Sequence, residues 1–458
     1  MSSAEYASAE KHLGLDHVSF PHGSLDAQPA TEDGEVDPQA VLRKLDWRLL
    51  PCICLLYILS FLDRTTIGNA KVAGIVADLR LTGLQYNICA GLFFVTYCMF
   101  GVPSNLTLKA TSPSKWIPTL AFGWGVVLLC TAFVKDFAGL LTTRLVLGIA
   151  EAGLAPAIVC YICTWYPRAD SARRIATYSS TTSIAAAFGG LLAYAIEKMD
   201  GISGLPGWAW IFLLEGLVTV VAAIFGYFVI YDYPEKASFL TDSERAWLLA
   251  TLEADRAGLS TNLKAKFLVQ ALRDPHAYLM TLLYLFIFIP SYSFTLFLPT
   301  IILGLGYSSA NAQLLSIPPN MGGGITTVIM GFLSVRYRVR GPFLLAGLIL
   351  ALVGYVIIYT TTSPGAGYVG TVIASCGIFP SVAFVLAWTG GNFGGEVKRA
   401  VVIAMVVGCG NLGGIAASFV YQPQDSPRYH SGHASNVACL CVAYVTFPSI
   451  YVALLLRH

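Results

Sequence analysis

Twelve apolar runs, each about twenty residues long and separated by polar loops, constrain this chain more than any other feature. A run of that length crosses the hydrocarbon of a bilayer as a helix. Inside hydrocarbon, a helix is the one open-ended element that satisfies its own backbone polar groups. The runs fall at 49–67, 83–104, 116–134, 138–165, 175–197, 209–231, 277–299, 311–333, 342–361, 368–391, 400–421 and 436–456. Charged residues make up 12% of the chain and apolar ones 56%, where a soluble domain carries roughly 25% charged residues. The expected fold is all-α and integral to the membrane, with twelve transmembrane helices. The one long break, 232–276, divides them six and six. Four segments follow: a polar, disordered cytoplasmic tail over 1–46, a six-helix bundle over 47–231, a linker with short helices over 232–276, and a second six-helix bundle over 277–458.

The two bundles repeat each other. Run five opens with Arg173-Arg174 and reaches Gly189-Gly190; run eleven opens with Lys398-Arg399 and reaches Gly413-Gly414. A parallel six-plus-six repeat around a central loop is the plan of a secondary transporter with a site near the bilayer midplane. Orientation follows from Lys and Arg, which concentrate in cytoplasmic loops. With the N-terminus inside, the inner loops hold Lys109, Lys115, Arg168, Arg173, Arg174, Arg336, Arg338, Arg340, Lys398 and Arg399, and the linker adds more. The outer loops hold only Lys71, Arg80, Lys135, Lys198 and Arg428. Both termini and the linker are therefore expected in the cytoplasm. Within the linker, Thr241-Asp-Ser-Glu244 fits a capping box and predicts a helix to about Ala257. Residues 263–273 predict a basic amphipathic piece, with Phe267, Leu268, Ala271 and Leu272 on its apolar side, lying on the inner membrane surface. The eleven cysteines lie within apolar runs, so a disulfide framework is not expected, and Cys160 and Cys163 read as packing residues. No secretory signal is expected ahead of the first run, because residues 1–40 are polar and acidic with no apolar core.

Charges inside the runs are few, and all lie in the first half: Asp63, Arg64, Arg144, Glu151, Glu215, and Glu197 near an outer end. Such residues line a cavity or pair with one another, because a charge facing lipid is costly. Arg144 and Glu151 are seven residues apart, hence on one helix face with a rise of roughly 10 Å between them. Gly148, Ala150, Ala152, Gly153 and Ala155 let a second helix or a ligand come close, and Pro156 is expected to kink the helix. The second half offers aromatic and polar groups instead: Tyr284, Ser291, Tyr292, Asn320, Trp388 and Asn411. An ionic half facing an aromatic one suits a small anion with an organic body. The plainer alternatives are a structural ion pair for Arg144 and Glu151, and ordinary packing for each aromatic. No phosphate loop, nucleotide-binding domain or metal-spaced cluster is visible, so ATP-driven transport and enzyme chemistry have no support, and no cofactor, metal or nucleic acid is expected.

Several stretches together resemble a known family. They are LDRTTIGNAK at 62–71, QYNICAGLFF at 85–94, VPSNLTLK at 102–109, KWIPTL at 115–120, RLVLGIAEAGLAP at 144–156, GWAWIFLLEG at 207–216, GNLGG at 410–414 and PRYHSGHA at 427–434. On these the chain resembles the major facilitator superfamily, within it the anion:cation symporters, and among those the fungal allantoate and nicotinate permeases. The resemblance implies that Asp63-Arg64 and Arg144-x6-Glu151 form the substrate and proton site. Arg64 and Arg144 would attract a carboxylate, and Asp63 and Glu151 would take up protons. A substrate carboxylate that took over Arg144 would raise the proton affinity of Glu151. The chain departs from the family pattern at Gly101, where a Glu commonly stands, at Ala209, where an Arg is usual, and at Val335, where an Asp is usual. The combined expectation is a monomeric, proton-coupled symporter of a small organic anion in the plasma membrane, working by alternating access. Arg64, Arg144, Tyr284, Tyr292 and Trp388 are expected to bind the substrate, and Asp63, Glu151 and Glu215 to couple protons. Two other readings keep the fold: an exporter of a carboxylated secondary metabolite, and a transporter-like nutrient sensor. The sensor is disfavoured because sensors usually signal through large cytosolic extensions.

Overall fold

The computed structural model describes residues 36–257, 265–337, 339–393 and 396–455. Twelve long helices form the body: α1 (Pro38–Val72), α2 (Gly83–Ala110), α3 (Pro113–Thr131), α4 (Phe137–Trp165), α5 (Arg168–Glu197), α6 (Gly207–Val229), α7 (Pro275–Gly304), α8 (Ile317–Tyr337), α9 (Gly341–Thr360), α10 (Pro364–Asn392), α11 (Glu396–Ser418) and α12 (His430–Leu455). No strand occurs among the described residues. Eight of the helices are, taken singly, long and apolar enough to cross a membrane. α5 and α8 lie against each other between the halves.

The helix starts carry their own signals. Asp37 caps α1 by accepting from the Gln39 N–H at 2.9 Å, and Pro38 follows in the first turn. Thr82 and Gln85 cap α2 reciprocally, and Asp274 caps α7 ahead of Pro275. α1 begins at Pro38 rather than at 49, because Val41, Leu45 and Leu49 recur on one face and are buried. The expected disordered tail otherwise lies outside the described residues. The capping box in the linker is present: the Thr241 N–H donates to Glu244 Oε2 at 2.8 Å, the Glu244 N–H donates to Thr241 Oγ1 at 3.3 Å, and a helix runs over Asp242–Ala257. The second linker piece is helical over Ala265–Leu272, with Ala271 buried and Leu272 exposed. The side chains of Phe267 and Leu268 lie outside the described residues.

The packing repeats with a shift of six helices. α1 packs on α5 and α6, as α7 packs on α11 and α12; α2 packs on α4, as α8 packs on α10; α3 packs on α6, as α9 packs on α12. Between the halves the contacts are α1 with α7, α2 with α11, and α5 with α8. The same shift exchanges the last two pairs and leaves the first unchanged. That is the signature of a two-fold axis between two similar bundles.

The start of α1, the linker and the start of α7 lie at one end of the bundle, here the terminal end. At the opposite, far end the halves are closed on each other. Ser309 Oγ, just before α8, lies 2.8 Å from Glu197 Oε1 and 3.1 Å from the Val72 carbonyl oxygen. Asn87 Nδ2 donates to the Tyr421 carbonyl at 3.3 Å, and Asn320 Nδ2 donates to the Ala186 carbonyl at 3.3 Å. Gly68 of α1 rests on the Leu296 carbonyl of α7 so closely that any Cβ there would collide with it. Among the described residues, the ion pairs of the terminal end that lie within the bundles stay within a half: Arg174 with Asp46 and Asp170 in the first, Lys398 with Asp274 in the second. Lys44 reaches Glu244 of the linker at 2.7 Å.

Candidate functional site

Five charged side chains from α1, α4 and α6 gather inside the first half, next to the seam between halves. Helical spacing on α1 puts Ser60 one turn before Arg64, so both reach the same side. On α4 the helix is interrupted after Glu151. Ala152 and Gly153 keep helical angles, but Pro156 has no N–H to offer the Ala152 carbonyl, and the helix restarts at Leu154. Gly148 lets α2 approach: a Cβ there would run into Thr96 and the Phe93 carbonyl. The small residues of α4 thus admit a helix, as one of the two sequence readings has it.

Glu151 is fully buried and paired with Arg64. Arg64 Nη2 donates to Glu151 Oε1 at 2.5 Å and Nε donates at 3.2 Å, while Ser60 Oγ donates to the same oxygen at 2.5 Å. Arg64 Nη1 donates to Tyr292 Oη at 2.9 Å, across the seam, and the guanidinium lies over the Tyr97 ring at 4.7 Å and the Phe93 ring at 5.6 Å. Glu151 Oε2 has no protein partner. Asp63 is likewise fully buried: its Oδ2 accepts from Trp124 Nε1 at 2.9 Å and Thr219 Oγ1 at 3.2 Å, and its Oδ1 has no protein partner. Glu215 accepts a short bond from Thr66 Oγ1 through one oxygen and leaves Oε1 without a partner.

Arg144 differs from Arg64. It is 2% exposed and stands over the Phe212 ring at 5.1 Å, yet its Nε and Nη2 have no hydrogen-bond partner in the protein. Asp63, Glu151 and Glu215 are within electrostatic reach but do not bond it. Both guanidiniums open onto one pocket walled by Ala90, Phe93 and Phe94 of α2 and Leu296 of α7. The pocket therefore spans the seam. The plainer alternative, an ion pair of Arg144 with Glu151, does not form; Glu151 pairs with Arg64 instead, and the reason is geometric. A rise of roughly 10 Å along one helix is too long for a direct bond, whereas α1 runs alongside α4 at the height of Glu151.

The second-half expectations divide. Tyr292 joins the site through Arg64 and meets Phe94 edge-on at 4.9 Å. Tyr284 is buried two turns away, stacked on Phe288 at 5.0 Å and fitted against Gly410; Phe288 in turn meets Tyr292 at 4.4 Å. Trp388 packs on Phe447 at 5.1 Å. Neither Tyr284 nor Trp388 touches the charged cluster. Ser60, Tyr97, Trp124 and Thr219 are partners that sequence reasoning passes over. Ser60 carried a signal, being one helical turn from Arg64, whereas nothing in α3 marks Trp124. Among the described residues no group of three His, Cys, Asp or Glu side chains is placed to hold a metal ion. Cys160 and Cys163 are free and exposed on the flank of α4.

Comparison with known proteins bears on what such a cluster does. The sequence profile described as Major Facilitator Superfamily matches residues 53–418. An uncharacterized transporter of Schizosaccharomyces pombe is 35% identical over 408 residues, covering 89% of this chain and 84% of that relative. The high-affinity nicotinic acid transporter of Saccharomyces cerevisiae is 31% identical over 418 residues, covering 90% of this chain and 78% of that relative. Among solved structures, a bacterial homolog of the human lysosomal transporter Spinster, inward-facing and unoccupied, superposes with a TM-score of 0.72 at 18% identity, over 92% of this chain and 98% of that one. A D-xylose–proton symporter superposes with a TM-score of 0.66 at 14% identity, over 87% of this chain and 97% of that one.

Proposed function

This chain belongs to the Major Facilitator Superfamily, and from that premise we propose that it carries a small organic carboxylate across a membrane together with a proton, by alternating access. The observation that carries the reading is Arg144: a buried guanidinium with two unpartnered nitrogens, opening onto the same pocket as Arg64. A planar guanidinium offers a carboxylate two parallel donors, and burial strengthens that bond. Its two unpartnered nitrogens are buried donors, and a carboxylate that met them would supply the acceptors they lack. In this state the pocket measures about 10 Å³, room for little more than a water molecule, so an organic anion would reach Arg144 only once Phe93, Phe94 and Leu296 draw apart. The nicotinic acid transporter among the relatives fits a carboxylate, and the xylose–proton symporter among the neighbours fits proton coupling.

The geometry suggests how substrate and proton are linked. The cluster holds three carboxyls, Asp63, Glu151 and Glu215, against two guanidiniums, Arg64 and Arg144. A substrate carboxylate between the guanidiniums competes with Glu151 for Arg64. Glu151, losing its cation in a dry site, then favours its protonated form. Arg64 also bonds Tyr292 across the seam, so the exchange of partners is felt by both halves. Loaded with substrate and proton, the site carries no added charge, and the halves can rock about it. We place the terminal end in the cytoplasm, because the loops there hold most of the Lys and Arg, and the protein in the plasma membrane as a monomer.

The test is uptake of labelled small carboxylates, nicotinate and allantoate among them, at pH 5 and pH 7 with and without a protonophore. Protonophore-sensitive uptake favoured at pH 5 is expected. Wild-type protein at the cell surface that takes up none of the panel overturns the carboxylate reading.

A further inference from the structure

Lys71, half-buried as a residue but with its ammonium buried, is a cation that the charged cluster does not use. Sequence alone placed it in an outer loop, but the structure makes it part of α1, at the closed far end. Its Nζ is buried and has no hydrogen-bond partner in the protein. Its neighbours are two aromatic faces, Tyr86 of α2 at 4.7 Å and Phe297 of α7 at 4.7 Å, one from each half. The two rings also meet each other edge-on at 6.4 Å. Seven residues separate Lys71 from Arg64, so both point from the same face of α1, with a rise of roughly 10 Å between them. That face runs along α2, where Tyr86, Phe93 and Tyr97 follow at helical spacing and supply the rings under both cations. The seam thus holds two cation stations in line, Lys71 outermost and Arg64 at the centre.

An ammonium prefers water or an oxygen acceptor to ring faces alone. The cage around Lys71 exists only while the halves touch, because Tyr86 and Phe297 belong to different halves. Parting the halves at the far end removes one ring and turns the ammonium toward the cleft. We propose that Lys71 is the first contact for the substrate carboxylate arriving from the far side, and that the Tyr86–Phe297 cage takes the ammonium back when the far end shuts and the anion moves on to Arg64 and Arg144. This inference rests on the carboxylate reading given above and adds a specificity-determining residue to it.

The test compares concentration dependence from the two sides in intact cells, using a labelled carboxylate of the panel that wild type takes up. Lys71→Met is expected to raise the KM for uptake about tenfold with maximal rate nearly unchanged. The KM for efflux from preloaded cells is expected to stay within twofold of wild type. Lys71→Arg is expected to recover most of the uptake affinity, and Phe297→Leu, which opens the cage but keeps the ammonium, is expected not to raise the uptake KM. An unchanged uptake KM in Lys71→Met overturns the proposal. So do equal defects in Lys71→Met and Phe297→Leu, which would mark Lys71 as a structural clamp only. If wild type takes up none of the panel, the carboxylate reading fails and this inference fails with it.

Discussion

Arg64 holds four partners at once: Glu151, the Tyr97 and Phe93 faces and, across the seam, Tyr292. Arg144 holds a ring face and leaves two donors free. That difference makes separate predictions for the two residues. Arg144→Gln removes the bidentate donor and is expected to lower uptake kcat/KM at least a hundredfold at normal surface level. Arg144→Lys is expected to recover little of it, since an ammonium cannot reproduce the planar fork. Glu151→Gln cannot take up a proton, so it is expected to lose protonophore-sensitive accumulation while exchange of labelled for unlabelled substrate continues. Accumulation at the wild-type level in that variant would remove Glu151 from the coupling step. Tyr292→Phe deletes one hydrogen bond to a charged group, which is worth about 1.5–3 kcal/mol. A rise in uptake KM of roughly tenfold or more is the matching readout.

Part of this site could be read from the chain alone and part could not. Charges inside apolar runs mark themselves, and all five residues of the cluster were visible that way. Their pairing was not visible, because it depends on the height at which α1 passes α4, and no helical repeat within one segment encodes that. The same limit explains Lys71: charge and position relative to the apolar run suggested a loop, while its cage is made by two other helices from opposite halves. It explains Trp388 as well, whose position near a span end left its rotation open, and whose ring settles on Phe447.

Among the elements, the linker helix Asp242–Ala257 shows how a local signal becomes an attachment. Glu244 closes the capping box and also binds Lys44 of α1, so one carboxylate fastens the linker to the first half. Burial would raise its pKa, but the Lys44 ammonium and the Thr241 N–H outweigh that and hold the carboxyl below the usual glutamate range. A depressed value means that the attachment is complete above the unfolded pKa, near 4.3 for a free Glu, and is lost as pH falls through the lower folded value. Limited proteolysis of the linker is therefore expected to speed up in acid in wild type. Glu244→Gln is expected to be cut readily at neutral pH with little further change on acidification. Equal protection of both proteins at pH 7 would show that Lys44 contributes nothing to the docking. The start of this helix was legible because its cap is short-range: Thr241 and Glu244 act within three residues of each other. The early start of α1 was less visible, because its first turns alternate charged with apolar residues and dilute the run.

On the scale of the whole molecule, among the described residues, the hydrogen bonds that join the halves sit at the far end and the centre, and the terminal-end ion pairs tie α1 to α5 and to the linker in the first half and α7 to α11 in the second. A protein built so is closed at one end and held together there by few, short contacts, which is what a rocking motion about a central site requires. The six-plus-six repeat was legible in the sequence because Arg173-Arg174 with Gly189-Gly190 recurs as Lys398-Arg399 with Gly413-Gly414. Which end is shut was not legible, because closure depends on side chains such as Asn320 meeting a backbone carbonyl of the other half. Closure makes the last prediction. Ala186→Cys with Asn320→Cys, joined by a short bifunctional thiol reagent in a background without the native cysteines, is expected to lock the far end and stop uptake. A reductant that cleaves the bridge is expected to restore it. Substrate binding measured from the terminal side is expected to survive the cross-link, because the Arg64–Arg144 pocket lies beyond the locked contacts. Full uptake with the cross-link complete would mean that α5 and α8 do not part at Ala186 during transport, and the rocking axis would then have to pass through that contact rather than through α1 and α7.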